Sequence, residues 1–286
     1  MSDELIPKIR AWLSTQGYSF EMKSAQLCSA SGFGVQLGSF FSDPLTGKSR
    51  ELDLVATRAV GCQKSGIRLY VNLLIQCKYA PKPWLFFSDN NTHPTALDPY
   101  LLKDAKGDSA IYMWPEIPDG PEYGFFRGWQ DSAYGATSAR FKDSSDTRKN
   151  NKDDSSNKDL AYQALESIIS AYEAWSAPKS ALLSMPRERV YRITIPVIFV
   201  KGHLFTVRLV DDDEEIADTR IVRISWKQGE ARRGSLIDVV EASAIINYLN
   251  QVKAEVELLA RAIQEDPRLL DKCARPRVNL SDYTEK

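Results

Sequence analysis

Histidine is nearly absent from this sequence: His93 and His203 are the only two among 286 residues, and neither has a partner nearby in the chain. The four cysteines, Cys28, Cys62, Cys77 and Cys273, contain no C-x-x-C pair. These absences argue against a structural zinc site, and neither histidine is assigned to catalysis. Reduced thiols of a cytoplasmic protein are the simplest reading of the cysteines. Long apolar runs are missing too. A stretch such as 193–200 falls far short of the ~20 residues a membrane helix needs, so no membrane association is expected. The opening Met1-Ser2-Asp3-Glu4 lacks the basic region and apolar core of a secretory signal. Nor is one sign of charge in excess: 37 Lys and Arg stand against 38 Asp and Glu, a net charge of −1. That excludes a uniformly basic coat protein of the histone kind, but leaves room for a local basic cleft that binds nucleic acid. No Walker-type glycine loop, dinucleotide fingerprint, G-x-S-x-G elbow or internal repeat is found.

What is present is a chain able to bury a core, with 43% hydrophobic and 26% charged residues. Its length allows one elaborated domain or two small ones. Leu5, Ile6, Ile9, Trp12 and Leu13 share a helical face, and Gly17 stops that helix. A second helix fits 20–30. Strands are predicted over 33–41, 50–59 and 67–79, with a Pro- and Gly-containing turn at 43–47. The middle, 88–158, reads as an irregular insertion, and its polar part, 142–158, as a flexible loop. Asp159 is placed to cap a helix over 160–175. Strands follow at 190–200 and 204–210, joined by a hairpin turn at 201–203, and then at 221–226 and 236–240. A long helix fits 242–264, and 267–286 reads as a loose tail. The whole is taken as one compound domain: 1–87 with the motif strands, the insertion 88–158, and 159–266 completing the sheet.

Two of these strands carry an unusual polar stripe. In Arg50-Glu51-Leu52-Asp53-Leu54-Val55-Ala56, alternation puts Glu51 and Asp53 on one side and Leu52 and Leu54 on the other. In Leu73-Leu74-Ile75-Gln76-Cys77-Lys78-Tyr79, Gln76 and Lys78 share a side. A hairpin would gather Asp53, Gln76 and Lys78. Carboxylates, an amide and a lysine among aliphatic residues are costly to desolvate unless they meet a metal, a substrate or each other. On this ground alone, a site and a solvent-wetted strand face stand equal.

The order of elements distinguishes them. A helix bearing Glu21 precedes a strand, a turn, a strand with Glu-x-Asp and a strand with Gln-x-Lys. The run FEMKSAQLCSASGF … DPLTGKSRELDLVA … LLIQCKY resembles the PD-(D/E)XK nuclease superfamily. Within it the likeness is to the branch with glutamine in place of the second acid, as in Mrr-type restriction enzymes. The resemblance covers about 20–84 and, more weakly, 159–200. It implies an α/β fold with a restriction-endonuclease-like core, a central mixed sheet flanked by helices, with C-terminal α/β elaborations. It also implies a metal-dependent nuclease acting on DNA. Asp53 and the Gln76 amide oxygen would bind Mg²⁺ or Mn²⁺, the Cys77 backbone carbonyl would add a ligand, Lys78 would position the attacking water, and Glu21 would support the site. Glu51 ranks below these as a neighbouring acid. The neutral Gln76 weakens metal affinity unless Glu21 or Glu51 compensates.

Lys82, Arg187, Arg189, Arg232 and Arg233 are candidate DNA contacts, though charged residues more often just solvate a surface. Trp84 reads as core, and Cys28 and Cys77 as buried packing residues. A homodimer and an activating partner stay open. The competing expectation is a module that kept the fold, lost the chemistry, and binds DNA or a protein partner without cutting.

Overall fold

The computed structural model describes residues 2–15, 17–62, 67–88, 101–104, 107–111, 131–139, 159–176, 189–226, 235–266 and 274–276. The elements, in chain order, are α1 (Ser2–Thr15), α2 (Tyr18–Ala30), β1 (Gly34–Ser42), β2 (Ser49–Cys62), β3 (Ile67–Tyr79), β4 (Trp84–Phe87), β5 (Leu101–Asp104), β6 (Gly107–Ile111), β7 (Asp131–Ala133) and β8 (Gly135–Ser138). There follow α3 (Leu160–Ser176), β9 (Arg189–Lys201), β10 (Leu204–Val210), β11 (Asp213–Thr219), β12 (Ile221–Trp226), β13 (Ser235–Glu241), α4 (Ile245–Glu265) and β14 (Ala274–Pro276).

The main sheet runs β1-β2-β3-β9-β13-β12-β7. The first three strands form an antiparallel meander. β9 then lies parallel to β3 in unbroken register from Ile67↔Arg189 to Tyr79↔Lys201, after the chain has crossed over through α3. β13 continues in parallel beside β9, and β12 pairs antiparallel with β13. The fold is therefore mixed α/β, a central mixed sheet with helices on both faces. The center of β3 reads as a nearly continuous buried run because it is covered twice. On one face Leu54, Ile75, Val197 and Phe199 pack under α2 and α4. Ile245, Leu249, Val252, Val256 and Leu259 supply the buried stripe of α4 at helical spacing. On the other face Val55, Leu74, Ile198 and Val200 pack with Leu165, Ile168 and Ile169 of α3.

A second sheet, β11-β10-β4-β8, adds Trp84, Phe86 and Leu204 to that second core. Trp84 is core, as its sequence setting suggested. The hairpin expected at 201–203 is not formed. The edges of β9 are already occupied by β3 on one side and by β13 and β5 on the other, so the chain turns a corner into the second sheet. There β10 pairs in parallel with β4 and antiparallel with β11. Gly202 permits the corner, since a Cβ would run into the backbone carbonyl of Ala80. Two backbone bonds fasten it, Ala80 N–H to Lys201 O at 3.0 Å and Trp84 N–H to His203 O at 2.9 Å.

Three further differences from the sequence reading stand out. The region taken as an irregular insertion contributes β5 through β8: β5 and β6 pair with each other, and β5, β7 and β8 also pair with strands distant in sequence, a signal that local composition does not carry. The region taken as a loose tail contributes β14, paired with β6. The apolar face of α1 is open: Leu5, Ile6, Ile9 and Trp12 are exposed. The flexible loop expected over 142–158 lies outside the described residues. No described helix is long and apolar enough to cross a membrane.

Candidate active site

The ladder between β2 and β3 runs from Cys62↔Ile67 to Leu54↔Ile75 and ends there, although both strands continue. Asp53 sits at this break. Its Oδ2 accepts the backbone N–H of Cys77 at 2.6 Å, taking the place of a strand partner. In an extended strand a residue's N–H and C=O point toward the same neighbor, so the Cys77 carbonyl faces the same gap. The expected alternation fails at this point: Leu52 packs into the α3-side core, whereas Leu54 packs under α2 and α4. On β1 the register places Gly38 across from Asp53, with φ +62, a conformation that favors glycine. A Cβ at Gly38 would press against the Glu51 carboxylate at 3.1 Å.

Glu21 enters from the first turn of α2. It feels the charges of Asp53, Glu51 and Lys78. Burial raises the Glu21 carboxyl above its ordinary value, and the negative charges of Asp53 and Glu51 raise it further, while Lys78 opposes them. Burial likewise raises Asp53, against the lowering effects of the Cys77 N–H and of Lys78, and Glu51 adds to the rise. Two carboxylates that resist ionization side by side leave a place where a cation would be welcome.

Gln76 and Lys78 form the opposite wall, beneath α3. Gln76 is only 5% exposed. In the orientation that satisfies both ends of its amide, Nε2 donates to the Ala164 carbonyl at 3.2 Å. Its Oε1 accepts from Ser167 Oγ at 3.0 Å and from Lys78 Nζ at 3.2 Å. Both lone pairs of that oxygen are thereby used. In this arrangement the Gln76 amide ties the Lys78 ammonium to α3. Lys78 forms no ion pair with Glu51 or any other described residue.

The structure thus brings together Glu21, Asp53, Gln76 and Lys78, with the Cys77 backbone between them and Glu51 exposed at the rim. Lys82 stands apart, exposed on the connection leaving β3. Arg187, Arg232, Arg233 and the side chain of Arg189 lie outside the described residues. Burial pushes the Cys28 thiol up to about 12 and raises Cys77 as well, so neither is a ready nucleophile. Sequence reasoning missed Ser167 and the Ala164 carbonyl. The available signal was Gln163, Ser167 and Ser170, polar residues at helical spacing on a helix otherwise built to face a core.

Among the described residues, no three Asp, Glu, His or Cys side chains are grouped closely enough to hold a metal by themselves. The oxygens on hand are two carboxylates and one backbone carbonyl. They are hard donors of the kind Mg²⁺ takes while keeping several waters, so the donor set fits such an ion. Compared with known protein families, with curated proteins and with solved structures, the chain matches none.

Proposed function

We propose that this chain is a metal-dependent nuclease with a restriction-endonuclease-like core, hydrolyzing phosphodiester bonds in DNA. One observation carries the reading: Asp53, Glu21 and Lys78 converge where the β2–β3 ladder breaks. The succession α2, β1, β2, β3, α3, β9 around that break is the order that the PD-(D/E)XK resemblance implies.

Asp53 and Glu21 would hold Mg²⁺ or Mn²⁺, with the Cys77 carbonyl as the third protein oxygen. When bound, such an ion supplies Lewis-acid polarization of the phosphate and a more acidic bound water. The chain's own residues do the rest. Lys78 offsets negative charge on the phosphate and orients the attacking water. Gln76, anchored by Ser167 and Ala164, keeps the Lys78 ammonium from straying toward Asp53. The water oxygen bonds to phosphorus as the bond to the leaving sugar oxygen breaks. The water gives up one proton, and the leaving oxygen takes one.

The test incubates the purified chain with supercoiled, linear and branched DNA, in Mg²⁺ or Mn²⁺ and in EDTA. Cleavage that needs the metal and drops about 10²–10³-fold in Lys78→Ala is the expected result. Binding without cleavage would instead favor a degenerate DNA-binding module. Cleavage undiminished in Lys78→Ala would place the chemistry elsewhere.

A further inference from the structure

On the α3 side of Lys78 lies a cleft of about 770 Å³. Its floor is Gln76 and Lys78, one wall is the β1–β2 turn with Leu45, Thr46 and Arg50, and the other is the sheet-facing side of α3. The cleft exists because α3 presents Gln163, Ala164, Ser167 and Ser170 here, too small or too polar to fill the space. Its volume falls within the roughly 300–1,000 Å³ of small-ligand sites.

The charges in the cleft are unevenly satisfied. Asp43 is ion-paired with Arg50 at 2.5 Å and accepts the N–H groups of Leu45 and Thr46. Asp159 is engaged by Thr137, Ser138 and the first N–H groups of α3. Glu166 is bonded to the Tyr162 hydroxyl. Lys78 makes no close ion pair among the described residues, although its charge acts on Glu21 and Asp53 behind it, so its ammonium is the group on the floor that can receive a phosphate. Around it stand an amide (Gln163), hydroxyls (Thr46, Ser167) and the side chains of Tyr162 and Leu45. That combination suits a planar heterocycle with mixed donors and acceptors.

We propose that this cleft receives one unstacked nucleotide of the substrate strand, with its phosphate at Lys78 and its base between Leu45 and Tyr162. The inference rests on the nuclease reading and narrows it. A base stacked in a duplex cannot enter a cleft, so the preferred substrate is single-stranded or frayed DNA. The phosphate held at Lys78 is the one that is hydrolyzed.

Binding in EDTA tests this separately from cleavage. The intact chain is titrated with a short labeled single strand and its blunt duplex, and with a deoxynucleoside 5′-monophosphate beside inorganic phosphate. The single strand and the mononucleotide should each bind about tenfold tighter than their counterparts, the size expected for one well-held base. Gln163→Trp and Leu45→Trp fill the cleft from opposite walls at half-buried and exposed positions. Each should erase that advantage while leaving phosphate binding and the melting temperature in place. Equal binding of duplex and single strand, or a preference that survives both variants, would overturn the inference. A chain that binds as expected yet never cuts would overturn the nuclease reading and leave the cleft standing.

Discussion

Asp53 carries its charge where burial and the nearby Glu51 both oppose it, and Glu21 is raised for the same reasons. Between the ordinary carboxylate range and the raised values, the folded chain retains protons that the unfolded chain releases. Metal-free stability therefore falls as pH rises through that window. Asp53→Asn removes the charge and keeps an acceptor for the Cys77 N–H. It is expected to melt higher than the wild type near neutral pH in EDTA, with a weaker pH slope, and thermal melts across that range check it. Mg²⁺ or Mn²⁺ should raise the melting temperature of the wild type and not of Asp53→Asn, because only a folded state that binds the ion is stabilized. Gln76 makes a separate prediction. If it orients Lys78, Gln76→Ala should lower kcat about tenfold or more and leave the Mn²⁺ dissociation constant unchanged in a calorimetric titration. A Kd weakened in step with kcat would restore Gln76 as a ligand. The polar stripe itself was legible in the sequence, because Glu-x-Asp and Gln-x-Lys stand out between aliphatic residues. Which way each side chain turns was not. The break at Asp53 overrides alternation, and the amide of Gln76 is claimed by a helix some ninety residues later in the chain.

At the scale of elements, α3 is the part that holds the floor of the site in place. Asp159 caps it, accepting from Ala161 N–H at 2.9 Å and Tyr162 N–H at 3.3 Å. It also ties the helix to the end of β8 through Ser138 N–H at 3.0 Å. Burial alone would raise its carboxyl, but the bonds from Thr137, Tyr162 and Ser138 hold it below the ordinary value. That contribution to stability is present above the unfolded carboxylate range and is lost as pH falls through the depressed value. Asp159→Ala should cost about 1–2 kcal/mol at neutral pH, read by urea unfolding, and less in acid. A cost that did not shrink in acid would contradict the capping account. The cap and the helix were readable because Asp followed by an apolar period is a local signal. The corner at 201–203 was not, because Lys-Gly-His fits a hairpin equally well, and only the occupied edges of β9 forbid one. Strands β7 and β8 escaped for a related reason, because their partners are far away in sequence, while β5 and β6 are too short for a run of alternation to mark them.

For the whole molecule, two cores on opposite faces of one sheet hold the site between them. The core beneath α4 contains a buried ion pair. Arg223 grips Asp238 through Nε at 2.7 Å and a second nitrogen at 2.9 Å, and the Tyr248 hydroxyl donates to the same carboxylate at 3.0 Å. Arg223 and Asp238 lie directly opposite one another on β12 and β13, each only 2% exposed. Asp238→Ala would take the bidentate carboxylate away from a buried guanidinium. It should cost about 3–5 kcal/mol in denaturant unfolding, and a loss below ~1 kcal/mol would show that water reaches the pair. The pair joins the β12–β13 hairpin to α4, remote from Asp53, so surviving protein should keep its metal affinity. The α/β layering of the molecule followed from the helix, strand, strand, strand order of the first third and the helix and strand after 159. The second sheet did not, because its strands come from before, within and after the insertion.

The central claim is that the Asp53 break is a hydrolytic site. Its most direct measurement is the rate at which intact chain converts supercoiled plasmid and labeled single-stranded DNA to cut products, with Mg²⁺ or Mn²⁺ against EDTA, beside Asp53→Asn prepared identically. The account predicts metal-dependent cleavage by the wild type and only background from the folded, metal-deaf variant. Cleavage by Asp53→Asn at the wild-type rate, or none by the wild type on any of these DNAs while it binds the metal normally, would contradict it.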